Sequence, residues 1–192
     1  MNGSSDPSQH LFWLSSRAFG VVAMVLVSLS VGVGLALAAK LGRRHPGLPA
    51  QLKRLHESLA LAGLIAIAGH GLLLLGDSYL RPGLAGIAVP FALASQPVWT
   101  GVGIVAGWLA AIVGLSFYAR RWIGVAVWRW LHRWTLAVYL MGLAHTLGSG
   151  TDARSPWLLA LLGLSALPAL FAGTYRLLPA ESSSPGTRLR SL

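Results

Sequence analysis

The sequence predicts an all-α integral membrane protein, a bundle of about five transmembrane helices, and three observations carry that class. The chain is 55% hydrophobic and only 10% charged over 192 residues, too little polar surface for a water-soluble domain of this length. Its apolar residues gather into runs of about twenty, the length that crosses a ~30 Å hydrocarbon core at ~1.5 Å per residue. Its basic residues sit where those runs end rather than along one polar face, which is how topology signals are distributed.

Composition also narrows function. A net charge of +10 without a basic stripe on a soluble face points to membrane lipid as the surrounding partner and not to nucleic acid. Cysteine is absent, so thiolate metal sites and iron–sulfur clusters are excluded, and redox chemistry would need histidine ligands or an organic cofactor. No acid–base pair or nucleophile constellation suggests hydrolysis.

Taken in order, residues 1–14 read as a polar tail without the basic region or cleavage site of a secretory signal, so the first apolar run is expected to remain in the protein. Span one covers about 18–39 and is stopped by Lys40, Arg43 and Arg44. A His45-Pro46-Gly47-Leu48-Pro49 turn opens span two, about 49–76, because proline is tolerated in a first helical turn. Residues 77–97 are too interrupted by proline and glycine to span, yet apolar enough to lie on the interface as a lid. Span three, about 98–119, is expected to stop at Arg120-Arg121, span four covers about 125–148, and Pro156 opens span five, about 156–175. The membrane domain is thus 15–178, and the polar tail 179–192 is expected to be disordered.

Twelve of the fifteen basic residues fall on one side of a five-span arrangement; only Arg17, Arg81 and Arg154 fall on the other. That asymmetry places the amino terminus outside and the carboxyl terminus in the cytoplasm, as in a bacterial inner (plasma) membrane protein. Spans two and four then run the same way, outwards from the cytoplasm. Each carries two histidines: His56 and His70, 14 residues apart, and His132 and His145, 13 apart.

Those intervals correspond to axial rises of about 21 and 20 Å, so each span offers one imidazole near the inner face and one nearer the outer face. Four imidazoles in two tiers suggest two stacked cofactors of the haem type, each iron taking one histidine from each helix, with Gly69, Gly71, Gly142 and Ala144 leaving room for a flat macrocycle. Ionisable residues inside a span are functional candidates by default, whereas His10 and His45 lie in tail and loop. At ~100° per residue, 14 residues return to within about 40° of one face but 13 end about 140° away. Span four must therefore bend, or present its two histidines on different faces.

The histidine spacing, with WLSSRAFG in span one, RLHESLALAG in span two and AHTLGSGTDARSPW after span four, resembles the ferric reductase-like transmembrane domain family, which includes ferric-chelate reductases and the membrane core of NADPH oxidases. The resemblance runs from about Trp13 to Trp157. It implies two b haems, ligated by His56 with His132 and by His70 with His145, and electron transfer from the cytoplasmic to the outer face. It also implies a place for Arg17 beside the outer haem; the ordinary alternative is a snorkelling arginine. Lys53, Arg54, Arg129 and Arg133 are candidates for inner propionates.

Unlike the larger members of that family, this chain is expected to carry no flavin and nicotinamide domain, because the residues after Tyr175 are too few to fold into one and no glycine-rich dinucleotide fingerprint follows a strand. Whether it acts as an enzyme by itself is therefore open. The expected electron donor is a separate flavoprotein reductase or membrane quinol, and the acceptor a ferric chelate, oxygen or a periplasmic protein. A quinol-oxidising cytochrome b subunit is the nearest alternative, and a haem-free scaffold or small transporter is the alternative of another class. Most of the eight tryptophans, including Trp99 and Trp128, read as interfacial anchors; Trp108, near mid-span, is a candidate electron wire.

Overall fold

The computed structural model describes residues 10–41 and 44–177, so residues 1–9 of the expected 1–14 tail, the expected 179–192 tail and Arg43 lie outside the described residues. The protein is all-helical. Among the described residues seven helices follow one another: α1 Leu11–Ala38, α2 Leu48–Leu73 with a 3₁₀ turn Leu74–Gly76, α3 Gly83–Ala88, α4 Pro97–Ile123, α5 Val125–His132, α6 Thr135–Ser149 and α7 Pro156–Leu177. Four are long and apolar enough to cross a membrane: Leu11–Ala38, Leu48–Gly76, Pro97–Ile123 and Pro156–Tyr175.

Helix boundaries follow local chemistry more closely than charge alone suggests. α1 begins at Leu11, seven residues before the expected start, because Leu11 to Leu14 continues the apolar pattern and no glycine or proline interrupts it. It ends in a Schellman arrangement: Leu41 N–H donates to Ala36 O (3.0 Å), Lys40 N–H donates to Leu37 O (3.0 Å), and Lys40 adopts a left-handed φ of 59°. α4 likewise passes its expected stop. Arg120 and Arg121 are good helix formers that suit a helix carboxyl end, and the stop falls at Gly124, whose φ of 87° turns the chain.

The expected single span over 125–148 is two helices. Arg133 N–H donates to Trp130 O (3.2 Å) and Trp134 N–H to Leu131 O (3.0 Å), three-residue bonds that overwind the chain between α5 and α6. Each such step turns about 120° instead of 100°, which takes up part of the angular offset between His132 and His145. α6 alone is 15 residues, about 22 Å long.

Residues 77–97 do not simply cap one end. Trp108 lies three turns into α4, yet its indole Nε1 donates to Ala88 O (2.8 Å), and Phe91 packs its ring on Gly101. The segment therefore lies along the first turns of α4. Asp77 is buried and opens it: its Oδ1 accepts from the N–H groups of Tyr79 (2.7 Å) and Leu80 (3.3 Å).

α1 is the central helix, packed against α2 and α7 and more lightly against α6, while α4 pairs with α6. A small core of Met24, Val31, Tyr139, Leu158 and Leu162 joins α1, α6 and α7. Gly32 lets α7 approach at its interior proline, since a Cβ at Gly32 would stand 2.7 Å from Pro168 Cβ. Polarity is arranged for lipid. Ser16, Ser28, Ser30, Ser116 and Ser165 are buried, whereas Ile65, Leu72, Ile112, Leu167 and Phe171 face outward. Small polar residues between helices and large apolar ones outside are what membrane bundles use.

Candidate functional site

The four span histidines meet in two pairs. The rings of His56 and His132 lie 5.9 Å apart centre to centre at an interplanar angle of 87°, and those of His70 and His145 lie 6.1 Å apart at 67°. Each pair bridges α2 and the α5–α6 segment. Elsewhere these elements scarcely touch, because α2 is packed on α1 and α6 on α4. The pairs thus stand at two levels of a seam between halves of the molecule.

On the α2 side, α1 supplies the same support twice. His70 Nδ1 lies 2.8 Å from Ser16 O and 3.1 Å from Ser16 Oγ, while Ser16 Oγ–H donates to His70 O at 2.7 Å. His56 Nδ1 lies 2.9 Å from Ser30 O and 3.1 Å from Ser30 Oγ, and Ser30 Oγ–H donates to His56 O at 3.4 Å. Gly20 and Gly34 lie under the two rings; a Cβ there would come within 3.0 Å of His70 Nδ1 and 3.1 Å of His56 Cε1. Ser16 and Ser30 are 14 residues apart, as are Gly20 and Gly34. This serine-x₃-glycine repeat on α1, running antiparallel to α2, matches the His56–His70 interval.

Across the seam, His145 Nδ1 lies 2.9 Å from Trp99 O and 3.1 Å from Ser149 Oγ, whose hydroxyl donates to His145 O at 2.9 Å. Gly103 sits under this ring. His132 is different. Among the described residues its ring makes no hydrogen bond; instead it stacks on Trp128, with centroids 5.5 Å apart and planes 29° apart.

A backbone carbonyl only accepts, so Nδ1 must carry the proton in His56, His70 and His145. That assignment leaves Nε2 with its lone pair, the form in which imidazole binds a metal. Two imidazoles on one metal, with bonds of about 2 Å and each nitrogen roughly 1 Å from its ring centre, have centroids roughly 6 Å apart. Two edge-packed rings also reach this spacing, so it is the engaged Nδ1 atoms of His56, His70 and His145, and not the spacing alone, that suit these rings to a metal. Among the described residues no three histidine, aspartate or glutamate side chains gather. A pair suits an ion that brings its equatorial ligands with it, as an iron porphyrin does.

Arg17 follows Ser16 at the His70–His145 pair, but its guanidinium is engaged: it forms an ion pair with Asp152 in the α6–α7 connection and lies 5.2 Å from the Trp13 ring centre. Lys53 stands 3.9 Å from Glu57, one turn on. The small residues expected to flank a macrocycle divide. Gly69 receives the Phe19 ring and Gly142 faces Met24 Sδ at 3.5 Å, whereas Gly71 faces open space. Two of them therefore seat α1 side chains. Trp128, read as an interfacial anchor, stacks on His132 of the His56–His132 pair, and Trp108 is bonded to the α3 segment.

Comparisons with family models, curated proteins and solved structures return no match. Fold and site define a class without them: a membrane-embedded helical protein with two histidine pairs at different levels of one seam.

In histidine-¹⁵N-labelled, cofactor-free protein, His56, His70 and His145 are expected as Nδ1–H tautomers with bare Nε2. Nε2–H tautomers at His70 or His145 would contradict the carbonyl bonds that orient these rings.

Proposed function

We propose that the chain is a di-haem b-type membrane cytochrome of the ferric reductase-like kind, carrying electrons across a bilayer. The observation that carries this reading is the meeting of His56 with His132 and of His70 with His145, although α2 and the α5–α6 segment otherwise scarcely touch. Each pair would hold one haem b through its two Nε2 atoms, and haem b supplies one-electron chemistry between ferric and ferrous iron. The protein supplies the orientation. Ser16, Ser30 and Trp99 hold three imidazoles through Nδ1, and a proton donated to a carbonyl makes the ring a more basic ligand.

Arg17 serves the outer site in this reading. Held by Asp152 next to Ser16, it places positive charge where a propionate or an anionic acceptor would sit. α5 and α6 together make span four of the five, with the His56–His132 pair on the cytoplasmic side of a plasma membrane and the His70–His145 pair on the outer side. A flavoprotein reductase or quinol would donate at the inner face, and a ferric chelate, oxygen or a periplasmic protein would accept at the outer one.

Purified protein is expected to contain two haems per polypeptide and to give the sharp α band of low-spin bis-imidazole haem in a reduced-minus-oxidised spectrum. A well-folded preparation that takes up no haem would return the chain to the scaffold or transporter class. Orientation is tested separately: a reporter active only in the periplasm, fused after Leu192, should stay silent, and activity there would reverse the assignment of inner and outer pairs.

A further inference from the structure

Three of the four imidazoles are held by a carbonyl acceptor on Nδ1, and His132 alone is not. It is also the least restrained by its backbone. α5 is eight residues long, ends at His132 and gives way at once to the overwound turn at Arg133–Trp134. What meets the ring is Trp128, one helical turn earlier on the same face, stacked 5.5 Å away with planes 29° apart. Trp128 is in turn met edge-on by Phe117 of α4, at 6.0 Å and 65°. The chain Phe117–Trp128–His132 ties α5 to α4.

The indole is not placed for its N–H. Nε1 of Trp128 is buried and, among the described residues, has no hydrogen-bond partner, a penalty that a side chain valued for its donor would avoid. Its broad face remains as the functional part, lying nearly parallel to the imidazole. We propose that Trp128 is the positioning residue of the inner site: its stacked face, in place of a carbonyl acceptor, sets the plane in which His132 stands toward His56. This rests on the reading of the two pairs as axial ligand pairs.

The plane matters because the angle between the two imidazoles would govern the anisotropy of a low-spin ferric haem that the pair would hold. The inner angle of 87° is set through Trp128, whereas the outer angle of 67° is set by carbonyls on both sides. A residue that acts on the plane alone is therefore visible by electron paramagnetic resonance even where haem content does not change.

The test uses full-length, haem-loaded protein with Trp128→Leu, Trp128→Phe and the control Trp130→Phe, an exposed neighbour. Trp128→Leu is expected to shift and broaden one of the two low-spin ferric signals, or to lose that haem, while the other signal stays in place and reports that the protein is folded. Trp128→Phe keeps a flat stacking partner and should restore the signal close to wild type, and Trp130→Phe should change neither. Trp128→Leu protein with two haems and both signals unmoved would overturn the proposal, as would an equal disturbance of both signals. A wild-type chain that binds no haem would remove the axial-ligand reading and this inference with it, whereas two haems and a silent Trp128→Leu would remove only the inference.

Discussion

An imidazole N–H inside a hydrocarbon layer has no water to bond, and meeting that demand organises half of this molecule. An unpaired buried donor costs about 1–3 kcal/mol, a large part of the roughly 5–15 kcal/mol by which a folded domain is stable. In α2 the demand arises twice, at His56 and His70, and α1 meets it twice with the carbonyls of Ser30 and Ser16. In an ordinary helix those carbonyls are already bonded to N–H groups four residues on, so the histidines use their second lone pairs. Close approach is needed to reach them, and Gly20 and Gly34 permit it. The tight pairing of α1 with α2 and the orientation of two candidate ligands are thus one feature.

The other half of the molecule meets the same demand differently. α4 offers Trp99 O to His145 over Gly103, repeating the carbonyl-and-glycine arrangement, but offers His132 only the Phe117–Trp128 stack. The break between α5 and α6 belongs with this difference. A straight helix would carry His132 and His145 on nearly opposite faces; interrupting it lets both rings turn toward α2. The lipid-facing leucines and isoleucines hold the helices in the membrane, while serines and glycines fill the joints between them. Between α2 and the α5–α6 segment there is little contact besides the histidines, while Tyr139 of α6 packs with Met24 and meets Ser28 of α1.

The long apolar runs and their basic flanks were legible in the sequence because membrane thickness imposes a length that few other constraints mimic. The rings also meet in the order that equal depths imply, His56 with His132 and His70 with His145. Boundaries were less legible where charge was taken as a stop: Arg120 and Arg121 continue α4, and only Gly124 ends it. The break at Arg133–Trp134 has no proline or glycine to announce it, although the 13-residue interval required a bend. Ser16 and Ser30 escaped notice because a serine within an apolar helix is common. The legible signal was their shared 14-residue interval with Gly20 and Gly34, which repeats that of His56 and His70. Glycine was informative in another sense than expected: Gly20, Gly34 and Gly103 touch the rings, while Gly69 and Gly142 seat Phe19 and Met24.

Haem retention in histidine variants measures most directly whether the two pairs are the units of binding, because groups that share one iron do not act additively when removed. His70→Ala is expected to leave one of two haems, and His70→Ala with His145→Ala to leave that same one. His70→Ala with His132→Ala should instead leave none, with each variant shown to insert normally. If removing His70 and His145 together cost both haems while either alone cost one, the two histidines would serve different irons, and the pairing across the seam would be wrong.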